Sequence, residues 1–149
     1  MDQVMDQFER MVLAVASAGH EDWRKKHRAA KGDEKRMKKT TDKAFLARGI
    51  TEVDIAATAY VDLPSDKQAE NKAAAEVAVD CVLAAVEQGI ALNDGFIEAA
   101  SAVQHEKWLE RNSDWALDSQ KVPYAELSEE EKEKDRSFVR FAIEALEVA

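Results

Sequence analysis

The sequence predicts an all-α domain in which two helix-pair repeats pack as one pseudo-symmetric unit of four to five helices. Three observations predict it. The 149 residues include only five Gly and two Pro, with 46% apolar and 34% charged residues, a balance too apolar for a disordered chain and too charged for a membrane protein. Apolar residues recur at three- and four-residue steps through long segments. A His-Glu-x-Trp motif, a Tyr-x-x-Leu motif and the helix after each occur twice in the same order.

Four long helices follow from the pattern. The first runs from about Asp2 to Ala29, with Val4, Phe8, Met11 or Val12, and Val15 on one stripe. A shorter helix is expected over Met37–Arg48, stopped by Gly49. Thr51–Thr58 reads as an extended connector. The second long helix starts at Ser65, where Ser65-x-x-Gln68 fits a capping box, and stops at Gly89. Its middle, AAAEVAVDCVLAAV, is apolar nearly all round, which marks the central helix. The lone Cys81 in that run reads as an inert core thiol. The third starts at Asn93 or Asp94 and continues to about Arg111, with Phe96, Ile97, Ala100, Val103 and Trp108 inward. Trp115–Pro123 reads as a second extended connector. The fourth opens on the capping box Ser128-x-x-Glu131 and carries Phe138, Phe141, Ala142, Ala145 and Leu146 inward.

The whole chain carries a formal charge of −9, unevenly spread. Residues 24–48 hold eleven Lys/Arg against three Asp/Glu, a net of +8, so the other 124 residues carry −17. The total argues against a protein that coats nucleic acid. The basic run reads either as a solvated face that pairs with the acidic remainder or as an anion-binding surface. It has no aromatic residue before Phe45, so base stacking is not expected of it. No apolar stretch reaches membrane-spanning length, and the first residues lack the basic and apolar regions of a secretion signal. A cytoplasmic setting is the expectation.

The repeat divides the chain into a first copy over about 2–89 and a second over about 93–149, within one domain spanning 1–149. His20-Glu21-Asp22-Trp23 matches His105-Glu106-Lys107-Trp108, and Tyr60-Val-Asp-Leu63 matches Tyr124-Ala-Glu-Leu127. From Tyr60 onward the copies align without gaps at an offset of 64, so Lys72 meets Arg136 and Ala78 meets Ala142. His20 and Tyr60 are 40 residues apart, His105 and Tyr124 only 19, and the excess in the first copy is the basic insert 24–48.

The second copy, with His105-Glu106-Lys107-Trp108, Trp115, Pro123-Tyr124-Ala125-Glu126-Leu127 and the Glu-Lys and Asp135-Arg136 steps of its helix, resembles the ryanodine-receptor repeat, the RyR domain. The likeness covers about 103–147 well and 18–83 as a degenerate copy. The loop Ser113-Asp114-Trp115-Ala116-Leu117 keeps the family's Trp but lacks its Gly and Tyr, and the usual Lys-x-His-Pro segment is missing. The resemblance implies an all-α fold without catalysis, found in tandem in calcium-release channels and as small free-standing proteins of bacteria and their viruses. It also implies recognition of a nucleotide-derived ligand, such as a second messenger, or of a partner protein.

A ligand of that kind would use His105, Trp108, Arg111, Trp115, Lys121, Tyr124 and Arg136, with His20, Trp23, Tyr60 and Lys72 as their first-copy equivalents. Trp and Tyr rings would stack a planar group, and the basic side chains would meet phosphate. The opposing reading of the His-x-x-Trp pairs is structural: Trp packed inward and His holding the connector through its backbone. No metal or cofactor is expected. His20, Glu21 and His27 do not form His-Glu-x-x-His, cysteine pairs are absent, and no glycine-rich phosphate loop or Gly-x-Ser-x-Gly turn occurs. Nothing assembles a nucleophile, base and oxyanion site, so an enzyme is not expected. An acidic protein–protein interaction domain, including a viral counter-defence protein or a self-associating one, is the alternative. Nucleic-acid binding through 24–48 ranks third.

Overall fold

A computed structural model describes residues 6–148. Among them are five α-helices and one two-stranded sheet, so the fold is mainly all-α. Helix α1 spans Gln7–Lys31, strand β1 Met37–Lys39, helix α2 Lys43–Ala47 and strand β2 Glu52–Asp54. Helices α3 (Ser65–Glu87), α4 (Asp94–Asn112) and α5 (Glu129–Val148) follow. The proposed start of the first helix at Asp2, and Val4 of its stripe, lie outside the described residues. Helix α1 is capped by Asp6, whose Oδ1 accepts from Glu9 N at 2.8 Å, and ends at Gly32, which takes φ of +59°.

The contacts among the four long helices repeat between the copies. The first-copy pair α1–α3 is matched by the second-copy pair α4–α5. The crossing α1–α5 is matched by α4–α3, and α3 meets α5. The sealed core follows from this arrangement: Met11, Val12, Val15 and Ala16 of α1 meet Ala75, Ala78, Val79 and Val82 of α3 and Ala142 of α5. The small side chains of α3 let it touch three neighbours, which is why its apolar residues run nearly all round. Cys81 is half-buried there, and burial, then Asp80, pushes its thiol pKa up, which suits the inert reading.

The two crossings solve the same steric problem in opposite ways. At the α1–α5 crossing Gly19 leaves room for the Phe138 ring, and a Cβ on Gly19 would lie 2.7 Å from it. At the equivalent α4–α3 crossing the large residue sits on the other helix. Gln104 takes the place of Gly19, and Ala74 that of Phe138. Gln104 Nε2 donates to Ala74 O at 2.9 Å. Gln104 Oε1 and the neighbouring Ser101 Oγ, both buried, have no hydrogen-bond partner among the described residues.

Several sequence expectations are corrected. The helix expected over Met37–Arg48 is a strand followed by one short helix. Lys35, Arg36, Lys38 and Lys39 would crowd like charges at three- and four-residue spacing in a helix, whereas a strand separates them. The strand pairs antiparallel with β2, Lys38 opposite Val53, so Glu52–Asp54 within Thr51–Thr58 belongs to a sheet and the residues after it form turns. Helix α2 begins only where Asp42 Oδ1 accepts from Ala44 N and Phe45 N.

The capping box at Ser65 does not form. Pro64 occupies the cap position and offers no acceptor, while Ser65 N and Oγ both donate to Asp42 Oδ2, at 2.8 and 2.7 Å. Gln68 Nε2 donates to Tyr60 O instead. In the second copy Ser128 stands where Pro64 does, and its Oγ accepts from Glu131 N at 3.2 Å. Val103 is 42% exposed; the inward face of α4 is Ala100, Ser101, Gln104 and His105. Val139, fully buried, belongs to the α5 stripe. The connector Trp115–Pro123 contains a 3-10 turn at Asp118–Gln120 and is not uniformly extended.

Replacing Gly19 by Ala should destabilise the protein by about 1–3 kcal/mol in urea unfolding, even though Ala is the better helix former by about 1 kcal/mol. Adding Phe138→Leu to that variant should recover part of the loss; a neutral or stabilising G19A would show that the crossing has slack.

Candidate functional site

The two motif copies fold alike. His20 Nε2 donates to Thr58 O at 2.8 Å, and His105 Nε2 donates to Val122 O at 2.8 Å. Thr58 and Val122 are themselves 64 residues apart. A carbonyl only accepts, so Nε2 carries the hydrogen in both rings. The His20 and Trp23 rings stack at 5.9 Å and 14°, those of His105 and Trp108 at 6.2 Å and 13°. Tyr60 and Tyr124 each open a 3-10 turn with a buried ring, and Leu63 and Leu127 follow them into the core. Both imidazoles are 4% exposed. Their role in this geometry is to fasten the end of each connector, just before the second helix of its copy, to the first helix.

The copies diverge next to this shared frame. In the second copy Glu98 receives a bidentate pair from Arg136, Nε to Oε2 at 2.7 Å and Nη2 to Oε1 at 3.0 Å. Tyr124 OH donates to Glu98 Oε1 at 3.0 Å, and Arg136 also donates to Tyr124 OH and to Glu129. The hydrogen bonds from Arg136 hold the Glu98 carboxyl below its ordinary range. Burial, then the bond to Glu98, pushes the Tyr124 phenol up. Arg136 and Tyr124 are therefore committed to protein groups. In the first copy Leu13 replaces Glu98 and Lys72 replaces Arg136. No such cluster forms there among the described residues, and a hollow of about 380 Å³ lies between Phe8, Val12, Leu13, Lys72 and Glu76.

Behind His105 lies Asp135, its Oδ2 4.0 Å from Nδ1. Burial, then the nearby Glu131, pushes the Asp135 carboxyl up to about 7. Nδ1 is the ring nitrogen that faces this carboxyl, at a separation too long for a hydrogen bond. Asn71 stands at the equivalent first-copy position, so the first copy has no carboxyl there.

The remaining candidates face solvent. Trp115 is 63% exposed and meets half-buried Trp108 edge to face, 5.6 Å between centroids at 77°. Its Nε1 donates to Asn112 Oδ1 at 3.1 Å, which orients the ring. Arg111 and Lys121 are exposed. The structure thus joins His105, Trp108 and Trp115 in one aromatic row and joins Tyr124 with Arg136 in a separate ionic cluster. Sequence reading missed Glu98, Asp135 and Asn112. Glu98 and Arg136 are 38 residues apart, and no local pattern marks them as a pair.

A second cavity, about 290 Å³, lies at the C-terminal end of α1 against the strand connector, lined by Arg24, His27, Arg28, Glu34, Asp54 and Ala56 among others. Arg24 Nε donates to Ala56 O at 3.1 Å and its Nη1 pairs with Glu21, while His27 Nε2 donates to Glu34 O at 2.7 Å. Trp23 stacks on His27 at 5.0 Å, so the first copy carries a His-Trp-His row where the second has His-Trp-Trp.

No family model, curated protein or solved structure matches the chain.

Because the folded Asp135 holds its proton up to about pH 7 and the unfolded one loses it near 3.8, stability should fall as pH rises from about 4 to about 7 and level off above. Asp135→Asn should flatten that segment of the stability–pH curve and raise stability above pH 7. An unchanged curve in D135N would mean that the carboxyl ionises freely.

Proposed function

We propose that the protein is a non-catalytic binding module of the ryanodine-receptor-repeat type, taking a planar anionic ligand of the nucleotide class at the loop between α4 and α5. The observation that carries this reading is Trp115: a large ring, 63% exposed, held in a fixed orientation by Asn112 and backed edge-on by Trp108. An ordered, solvent-facing indole offers a stacking platform at little entropic cost. Arg111 and Lys121, on the helix and loop that flank it, supply charge for phosphate. Of the candidate residues, Arg136 and Tyr124 are committed to Glu98 and make no ligand contact in this reading.

Leu117, 65% exposed two residues beyond Trp115, favours a second reading in which the same loop docks a protein partner. Asp114 and Asp118 flank the two apolar side chains, and a partner would then present an apolar pocket with a basic rim.

Titrating mono-, di- and cyclic nucleotides against the intrinsic tryptophan fluorescence should give saturable quenching. Trp115→Ala should weaken affinity at least about tenfold, the scale of one lost base–aromatic stack. Arg136→Ala should lower the melting temperature yet leave the affinity of the folded protein within about twofold. No quenching and no thermal stabilisation at millimolar nucleotide would reject the ligand reading and leave the protein-docking one.

A further inference from the structure

The feature that the reading above leaves unused is the basic insert. Of its eleven Lys and Arg, three are in ion pairs, each short-range in sequence: Arg24 with Glu21, Lys26 with Asp22 and Lys31 with Glu34. The other eight, Arg28, Lys35, Lys38, Lys39 and Lys43 among them, have no carboxylate within ion-pair distance among the described residues. All eight are exposed except Lys38, which is half-buried. The acidic remainder, although it carries −17, does not neutralise this segment.

Three of the nearby carboxylates are spent elsewhere. Asp42 accepts from two amides of α2 and from Ser65, and that bonding holds its carboxyl down at about 2. Asp54 accepts from Arg36 N and Ala56 N, and Asp66 from Thr40 Oγ1 and Thr41 N. These bonds tie the insert to α3 and fold it on itself while leaving eight of its ammonium and guanidinium groups without a carboxylate partner. The result is an ordered segment of unpaired positive charge on a negative body.

We propose that this insert is a docking surface for double-stranded nucleic acid, gripping backbone phosphates without reading bases. The chemistry selects this partner over an acidic protein. Protein interfaces are built around apolar and aromatic anchors, and the insert's large exposed apolar side chains are only Met37 and Leu46. Nucleic-acid interfaces are polar and strongly positive. Base stacking is excluded as the grip, because the insert's two aromatic rings are already engaged: Phe45 is half-buried with Arg48 5.7 Å above it, and half-buried His27 is stacked on Trp23. A duplex presents one charge per about 1.7 Å, the density that an array of unpaired cations matches best. The negative body repels the same duplex, so contact is confined to the insert and the loop carrying Trp115 stays free.

The experiment is fluorescence anisotropy of the full chain with labelled duplex DNA in two unrelated sequences. Both duplexes should bind equally, with a log–log salt slope between about −4 and −7, so that affinity drops about 100-fold or more between about 50 and 200 mM salt. The variant Lys35→Gln, Lys38→Gln, Lys39→Gln, Lys43→Gln should lose more than about tenfold in affinity at the lower salt and flatten the slope by up to about 3–4, with an unchanged melting temperature. Should that variant melt early, Lys25→Gln with Arg28→Gln on the surface of α1 makes the same test with a slope change of up to about 2. Absence of binding by the intact chain, a slope that neither variant changes, or binding of polyglutamate without binding of duplex would each overturn the proposal.

Discussion

Two buried imidazoles set the plan of this protein. Each donates one hydrogen bond from Nε2 to a carbonyl in the connector that follows its helix, and the two acceptors are related by the same offset as the tyrosines beyond them. A connector carbonyl drawn into the core needs a donor, because an unpaired one would cost about 1–3 kcal/mol. Histidine supplies that donor from a helix face while its ring adds apolar area against Trp23 or Trp108. Once the carbonyl is fixed, the Tyr that follows enters the core, and Leu63 or Leu127 seats the start of the next helix. The bond is made twice, once in each copy, just before the second helix of that copy begins.

The copies then differ where that frame leaves freedom. Gly19 against Phe138 and Gln104 against Ala74 fill equivalent crossings with opposite partners, so volume is conserved across each contact while the identity of the large residue changes. Leu13 and Lys72 leave a hollow where Glu98 and Arg136 close one. Asn71 stands at the position equivalent to Asp135, the carboxyl that faces His105. The second copy thus concentrates its polar groups into a supported wall, with Trp115 standing outside it.

The helices were legible because their boundaries depend on local rules: Asn93 caps α4 through Phe96 N, Ser128 caps α5, and Gly32 and Gly49 take positive φ at helix ends. The repeat was legible because it is a comparison of the chain with itself. The structural role of the histidines was one of two readings the spacing allowed, and their burial and bonds to connector carbonyls favour it. What local rules did not contain was long-range. Asp42 capping a helix 23 residues away replaced a capping box that the Ser65-x-x-Gln68 spacing seemed to offer, because Pro64 had taken the cap position. The inward face of α4 was misread at Val103 because its buried residues, Ser101, Gln104 and His105, are polar and leave no hydrophobic period to follow. Glu98 and Asp135 gained meaning only from partners on other helices.

The charge distribution has a physical logic of its own. An insert with a net of +8 on a body of −17 would be expected to collapse onto it and pair off. Exposed ion pairs contribute only about 0–1 kcal/mol each and cost the entropy of two long side chains, so collapse has little to gain from them. Amide-to-carboxylate bonds to Asp42, Asp54 and Asp66 fix the backbone with short side chains that lose little freedom, and they are charge-assisted. Backbone amides therefore out-compete lysines for the nearby carboxylates. The acids order the insert, and the bases are left over. A segment built in this way keeps its shape and its charge at once, a combination that a surface neutralised by its own salt bridges cannot have.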